Sequence, residues 1–116
     1  IALFAAITGD TNPVHLDEEL AKPTMFKGRI APGMLTAGFI SAVFGTKLPG
    51  PGCIYLSQSM KFKAPVRIGD TVKARVTVSA IDRDKGRVTF ATTCHVGEQI
   101  VLDGEAQLMV PKRPKN

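Results

Sequence analysis

Asp10 and His15 stand five positions apart in the run Phe4-Ala-Ala-Ile-Thr-Gly-Asp-Thr-Asn-Pro-Val-His15. Gly9 precedes the carboxylate and Pro13 stiffens the stretch between the two, so the chain bends and both side chains can converge on one water. A carboxylate beside an imidazole is a proton-transfer pair near neutral pH, because histidine titrates there and its neighbour can orient or tune it. The same residue types also serve blander ends: Asp10 as a turn or cap residue, His15 as an exposed helix residue. A second candidate is Gly33, which opens a long apolar segment after Pro32. A helix starting there offers an amide that no side chain obstructs, backed by the helix dipole, to negative charge growing on an oxygen. A tight turn into Met34 explains the glycine equally well.

Positioning these groups requires a particular order of elements. Ile1 to Thr8 reads as the end of a helix closed by Gly9. Asn12 and Pro13 then signal a helix start, as cap and first helical residue, and Asp17, Glu18 and Glu19 sit near the positive end of the short acidic helix that carries His15. Lys22 to Ala31 holds Pro23 and Gly28 without a sustained period and reads as an irregular excursion ending at Pro32-Gly33. From Met34 to Phe44 nearly every residue is apolar or small, Thr36 and Ser41 excepted, which predicts a helix buried all round. After the turn cluster Gly45 to Cys53 the period becomes two. Val72, Ala74, Val76, Val78 and Ala80 alternate with polar neighbours, as do Val88, Phe90, Thr92, Cys94 and Val96. Leu56 to Phe62 and Ile100 to Val110 supply further strands, and Asp84-Lys85-Gly86 and Gly97-Glu98 supply hairpin turns. One helix followed by a meander of about four strands predicts an α+β domain, a curved antiparallel sheet wrapped around a central helix. That is a hot-dog architecture, and a cystatin-like helix-on-sheet fold fits the same pattern.

The 116 residues, 44% apolar and 22% charged, suffice for one domain with one core. The longest apolar run, Ile1 to Ile7, is far below the roughly 20 residues of a membrane-spanning helix and lacks a basic leader and cleavage site. A cytoplasmic protein without a membrane partner is expected. Cys53 and Cys94 form no C-x-x-C pair and read as reduced thiols, and no two His residues have metal-ligand spacing. His95, on the strand face opposite Phe90 and Cys94, reads as a surface residue. The net charge is +5, but Lys112, Arg113 and Lys115 sit in a Pro-rich tail, so residues 1–111 form the domain and 112–116 a basic tail. Between Lys61 and Arg87 eight basic residues face three aspartates, an excess suited to a phosphorylated small ligand and also to a plain solvated strand face. Without interleaved aromatics that stretch makes a poor nucleic-acid surface.

The segment from Phe4 to His15 resembles the signature of the R-specific enoyl-CoA hydratases, the MaoC-like branch of the hot-dog superfamily. Phe4, Gly9, Asp10, Asn12, Pro13 and His15 fall at the motif's spacing, and the likeness continues through Gly33-Met34-Leu35, Leu48-Pro49-Gly50, Ile54-Tyr55-Leu56 and Val66 to Asp70. The resemblance implies that Asp10 and His15 activate the water that adds, syn and reversibly, across a trans-2-enoyl thioester to give an (R)-3-hydroxyacyl-CoA. It implies Gly33 as the oxyanion donor, Asn12 and Ser41 as residues lining the site, no metal or organic cofactor, and a homodimer with two sheets joined edge to edge. Ser41 has a second reading, a hydroxyl bonded back to a helix carbonyl. Pro32 departs from the His that the family commonly carries before this glycine, which bears on the shape of the pocket. The family's leading strand and turn have no counterpart before Ile1, so the resemblance implies a chain lacking its natural N-terminal strand.

Met25, Phe26, Met34, Phe39 and Phe44 could line an acyl pocket or simply fill the core. Two other functions remain in view: a hot-dog thioesterase, against which Asn12-Pro13 and His15 argue, and a non-catalytic acyl-CoA-binding regulatory domain.

Overall fold

The computed structural model describes residues 1–25 and 27–111; Phe26 and the basic tail 112–116 lie outside the described residues. α1 (Ala2–Thr8) closes as expected at Gly9, whose φ of 76° lies in the left-handed region that glycine enters without strain. α2 (Pro13–Leu16) is capped by Asn12, whose side chain accepts the Val14 N–H at 3.2 Å. The acidic residues do not continue α2. Asp17 is extended, and its carboxylate accepts the Glu19 and Leu20 amides at 3.0 and 3.3 Å, so it caps a separate turn, α3 (Glu18–Ala21). A carboxylate satisfies two orphan amides at that position, which ends one helix and starts another.

α4 (Gly33–Thr46) lies along the sheet formed by β1 (Ile54–Phe62), β2 (Val72–Asp82), β3 (Arg87–Val96) and β4 (Gln99–Met109). All pairings are antiparallel and the strand order is β1-β4-β3-β2. The expected meander therefore holds for β2 to β4 only. β1 crosses to the far side of β4, where Gly104 admits it: a Cβ on Gly104 would lie 1.9 Å from the Ser59 carbonyl oxygen. The alternation predicted for β2 fails at its end, because a bulge between Val78 and Ala80 leaves Ser79 unpaired and sets Ile81 opposite Val88. Ile81, not Ala80, thus shares the face of Val78 and Phe90.

The core lies between α4 and one sheet face, built from Ala37, Ile40 and Phe44 of the helix and Phe90, Cys94, Leu102, Ala106 and Leu108 of the strands. The Phe44 ring packs against Tyr55 and Phe90, with centroids 5.3 and 4.9 Å away. The helix is buried on its sheet side alone, and Met34 and Phe39 on its other side are 58% and 44% exposed. Among the described residues no second layer covers them, so the expectation of a helix buried all round does not hold for the single chain. A 14-residue helix is about 21 Å long and an 11-residue strand about 37 Å, so the sheet outruns its cover. The elongated dimensions, 61 × 29 × 19 Å, and the 59% exposure of Ile81 follow from that mismatch.

Candidate active site

Asp10 and His15 line one cavity of about 510 Å³, together with Ile30, Ala31, Pro32, Gly33, Met34 and Thr36 from the entry to α4 and Phe62 to Val66 from the loop after β1. Each side chain arrives there for a local reason. The turn at Gly9 brings Asp10 to the surface, where its Oδ1 accepts the Asn12 N–H at 3.5 Å. The one-turn α2 lifts His15 into the protein, where it is 9% exposed.

His15 is held from both ends. Its Nδ1 stands 2.8 Å from the Ile30 carbonyl oxygen, which only accepts, so Nδ1 carries the hydrogen and the neutral ring keeps its lone pair on Nε2. Nε2 has no partner among the described residues, and the ring edge that bears it is the one left for the cavity. Its own carbonyl accepts the Arg29 Nε–H at 2.8 Å, and the Arg29 backbone N–H donates to Glu18 Oε2 at 3.3 Å. The Ile30 N–H donates to the Val14 carbonyl at 3.2 Å, and Ala31 N–H to the Val66 carbonyl at 2.7 Å. Residues 29–31 thus tie α2 to the rest of the domain.

Gly33 is the first residue of α4, after the buried Pro32, and the Gly33 and Met34 amides have no hydrogen-bond partner among the described residues. Free amides are the expected state of a helix start, and here they border the cavity. A Cβ on Gly33 would lie 2.6 Å from Phe62 Cε1, so the glycine is where the aromatic ring closes on the helix entry.

The structure separates the remaining candidates. Asn12 supports the site from outside: its side chain caps α2, its backbone holds Asp10, and it is not part of the cavity wall. Ser41 is exposed on α4, about 12 Å along the helix from Gly33, and does not line the cavity of the single chain. Met25 and Met34 do line it, Phe39 lines a second cavity of about 380 Å³, and Phe44 belongs to the core. Phe26 lies outside the described residues. Of the basic residues between Lys61 and Arg87, Lys63 borders the first cavity and Arg67 the second. His95 is half-buried, with Nε2 at 3.0 Å from Thr93 Oγ1. Both cysteines are free thiols, and burial pushes Cys94 up to about 11. Among the described residues no helix is long and apolar enough to cross a membrane, and no group of three or more His, Cys, Asp and Glu is placed to hold a metal.

Arg29, Thr36 and Phe62 take part in this site without having been singled out by sequence. Arg29 and Phe62 act through contacts distant in the chain. Thr36 carried a legible signal, a hydroxyl one turn after Gly33 in a run whose other polar residue is Ser41.

The MaoC like domain family matches this chain over residues 1–99. The chain is 62% identical over 113 residues to the (R)-specific enoyl-CoA hydratase of Rhodospirillum rubrum, covering 97% of this chain and 78% of that protein. It is 56% identical over 110 residues to the 3-hydroxybutyryl-CoA dehydratase of Methylorubrum extorquens, covering 95% and 70%. Among solved structures, the (R)-hydratase from A. caviae involved in PHA biosynthesis superposes with a TM-score of 0.92 at 44% identity, covering 96% of this chain and 85% of that one.

Proposed function

This chain belongs to the MaoC-like domain family, and from that premise we propose that it is a lyase that hydrates trans-2-enoyl-CoA reversibly to (R)-3-hydroxyacyl-CoA. The observation that carries the reading is the shared cavity: a carboxylate, an imidazole and the free amide end of a helix border one space of about 510 Å³.

Adding water to a conjugated thioester needs a base at the water, a proton for Cα and donors where charge grows on the thioester oxygen. His15, neutral with its hydrogen on Nδ1, presents Nε2 to a water that Asp10 holds from the other side. As the water oxygen bonds to Cβ, its proton passes to this pair and the alkene electrons move onto the thioester oxygen. The Gly33 amide receives that oxygen with the positive end of α4 behind it. Collapse of the enolate takes a proton at Cα from the same pair. Because donor and acceptor lie on one face of the alkene, addition is syn. Dehydration is the same path reversed. Arg29 acts through the His15 backbone and is a positioning residue.

The substrate is an acyl-CoA thioester, and Lys63 at the cavity edge is the basic residue best placed to meet its phosphates. The working form is a homodimer. Exposed Met34 and Phe39 on α4, together with the open edges of β1 and β2, leave apolar surface and unpaired backbone that a second copy covers. Sedimentation showing a fully active stable monomer would overturn this.

One assay tests the activity. Crotonyl-CoA should lose its enoyl absorbance without release of free thiol. Thiol release would instead select a thioesterase, and binding without either change would select a non-catalytic acyl-CoA-binding domain.

A further inference from the structure

Three threonines lie in described helices, and two of them turn their hydroxyls back on the backbone. Thr8 Oγ1 donates to the Phe4 carbonyl at 2.8 Å, and Thr46 Oγ1 to the Ala42 carbonyl at 2.6 Å. These are exposed threonines making the ordinary local bond. Thr36 is the buried one, 3% exposed, and its hydroxyl makes no hydrogen bond at all among the described residues. A sealed, unpartnered hydroxyl would cost on the order of 1–3 kcal/mol. This one is not sealed: Arg87 Nε is the side-chain atom that is both fully enclosed and unpaired among the described residues, and Thr36 lines the Asp10–His15 cavity.

Its direction follows from helix geometry. Thr36 is three residues after Gly33 on the same helix face, and Cα–Cβ bonds in a helix tilt toward its N-terminus. The side chain therefore leans from the first full turn toward the amides that open α4. The Thr36 backbone is occupied elsewhere, its N–H donating to Pro32 O at 3.4 Å and its carbonyl accepting the Cys94 thiol at 3.7 Å. Only the hydroxyl remains for a ligand.

We infer that Thr36 is a catalytic residue, its Oγ1–H donating to the thioester carbonyl oxygen beside the Gly33 amide as the second donor of the oxyanion hole. The inference rests on the hydratase reading, and it assigns the hydroxyl to the moment of charge development. The hydrogen bond strengthens as the carbonyl becomes an enolate oxygen and weakens as the enolate collapses, with no proton changing hands at Thr36.

The test compares the parent with Thr36→Val, which keeps the shape and removes the hydroxyl, and Thr36→Ser, which keeps the hydroxyl; Thr36→Ala replaces the valine variant should that fail to fold. Crotonyl-CoA hydration should fall about 10²-fold in kcat for Thr36→Val with KM within about threefold, and Thr36→Ser should stay within about fivefold of the parent. A second readout needs no turnover: the carbonyl 13C resonance of bound [1-13C]butyryl-CoA should lie further upfield in Thr36→Val than in the parent, since one donor has gone. A Thr36→Val enzyme within threefold of the parent in kcat, a rise in KM alone, or an unmoved carbonyl resonance each overturns the inference. A parent that binds butyryl-CoA yet leaves crotonyl-CoA unhydrated overturns the hydratase reading, while the resonance still decides whether Thr36 touches the thioester. A parent that binds neither thioester overturns both.

Discussion

The two ends of α4 are built on opposite terms. At its C-terminal end the chain packs and bonds against itself: Phe44 is gripped by Tyr55 and Phe90, its carbonyl accepts the Gly50 amide and the Cys53 thiol, and Thr46 bonds back to Ala42. At its N-terminal end the Gly33 and Met34 amides and the Thr36 hydroxyl have no partner among the described residues and stand against a cavity of about 510 Å³. Both ends contain the same kinds of atom. What differs is that one end is packed against aromatic rings of its own chain, while the other keeps donors beside a cavity where a ligand can meet them. Stability should therefore reside at the Phe44 end and chemistry at the Gly33 end, and substitutions should separate the two.

The sharpest way to break that division is at the acid–base pair. Asp10→Asn keeps the shape and removes the basic oxygen, and His15→Gln keeps a hydrogen-bonding group and removes titration. Each should lower kcat for crotonyl-CoA by roughly 10²- to 10⁴-fold, with the circular dichroism spectrum unchanged and KM moving less. If one water is shared, the double variant should be only slightly worse than the worse single, because the second change removes help already lost. A folded single variant within about threefold of the parent rate would remove the pair from the mechanism. Phe44→Ala probes the other end. Truncating a ring held between two others in a closed core should cost about 3–5 kcal/mol in urea unfolding. The fraction that stays folded should retain near-parental kcat; a kcat loss as large as that of Asp10→Asn would show that the ends are not separable.

Gly33→Ala sharpens the comparison at lower cost. The added Cβ would meet Phe62 Cε1 at 2.6 Å, and the exposed Phe62 ring can swing away. Gly33 has no positive φ, and alanine is the better helix former, so the thermal midpoint should hold or rise. The displaced ring must enter the space beside the helix start, and kcat/KM should fall roughly 10- to 100-fold. Equal losses of stability and activity would contradict a site built on spare groups.

How much of this was legible depends on the reach of each interaction. Gly9, Asn12-Pro13 and Gly33 act within a few residues, through a left-handed turn, a cap and a helix start, and the sequence carries such signals openly. The alternation of β3 was equally plain, because every second residue faces α4. The position of β1 beside β4 was hidden, since it depends on Gly104 admitting a strand more than forty residues earlier in the chain. The bulge at Ser79 was hidden too: an inserted residue leaves the alternating pattern intact and changes which half of it faces inward. In the site, residue types gave Asp10 and His15, while the brace that sets the imidazole's tautomer comes from residues 29–30, fifteen positions away and irregular in pattern. Apolar residues were the least readable. Met34, Phe39 and Phe44 share one helix, yet the first borders the Asp10–His15 cavity, the second a neighbouring one and the third the core, a division set by what lies opposite.

The smallest expected effect tests whether the closed middle of α4 is as tight as its geometry. Cys94 is fully buried beneath Thr36, and burial pushes its thiol from 9.0 to about 11. A raised folded value on a group that ionises to an anion means that the native state holds its proton where the unfolded chain has released it. The associated stability is fully present below pH 9.0 and is lost as pH rises through about 11. Tyr55 is also raised by burial, so the parent's alkaline decline alone is not diagnostic. The difference between parent and Cys94→Ala isolates the thiol. Over that window the parent should lose stability more steeply than the variant, by up to about 1.4 kcal/mol per pH unit, the limit for one proton. In the folded parent at pH 8, Cys94 should react with a thiol reagent only as fast as the chain unfolds, because both thiolate and access are missing. Prompt labelling of Cys94 with the fold intact, or identical alkaline slopes, would mean that water already reaches the underside of the helix at Thr36, and the contrast between a closed core and an open site would have to be redrawn from there.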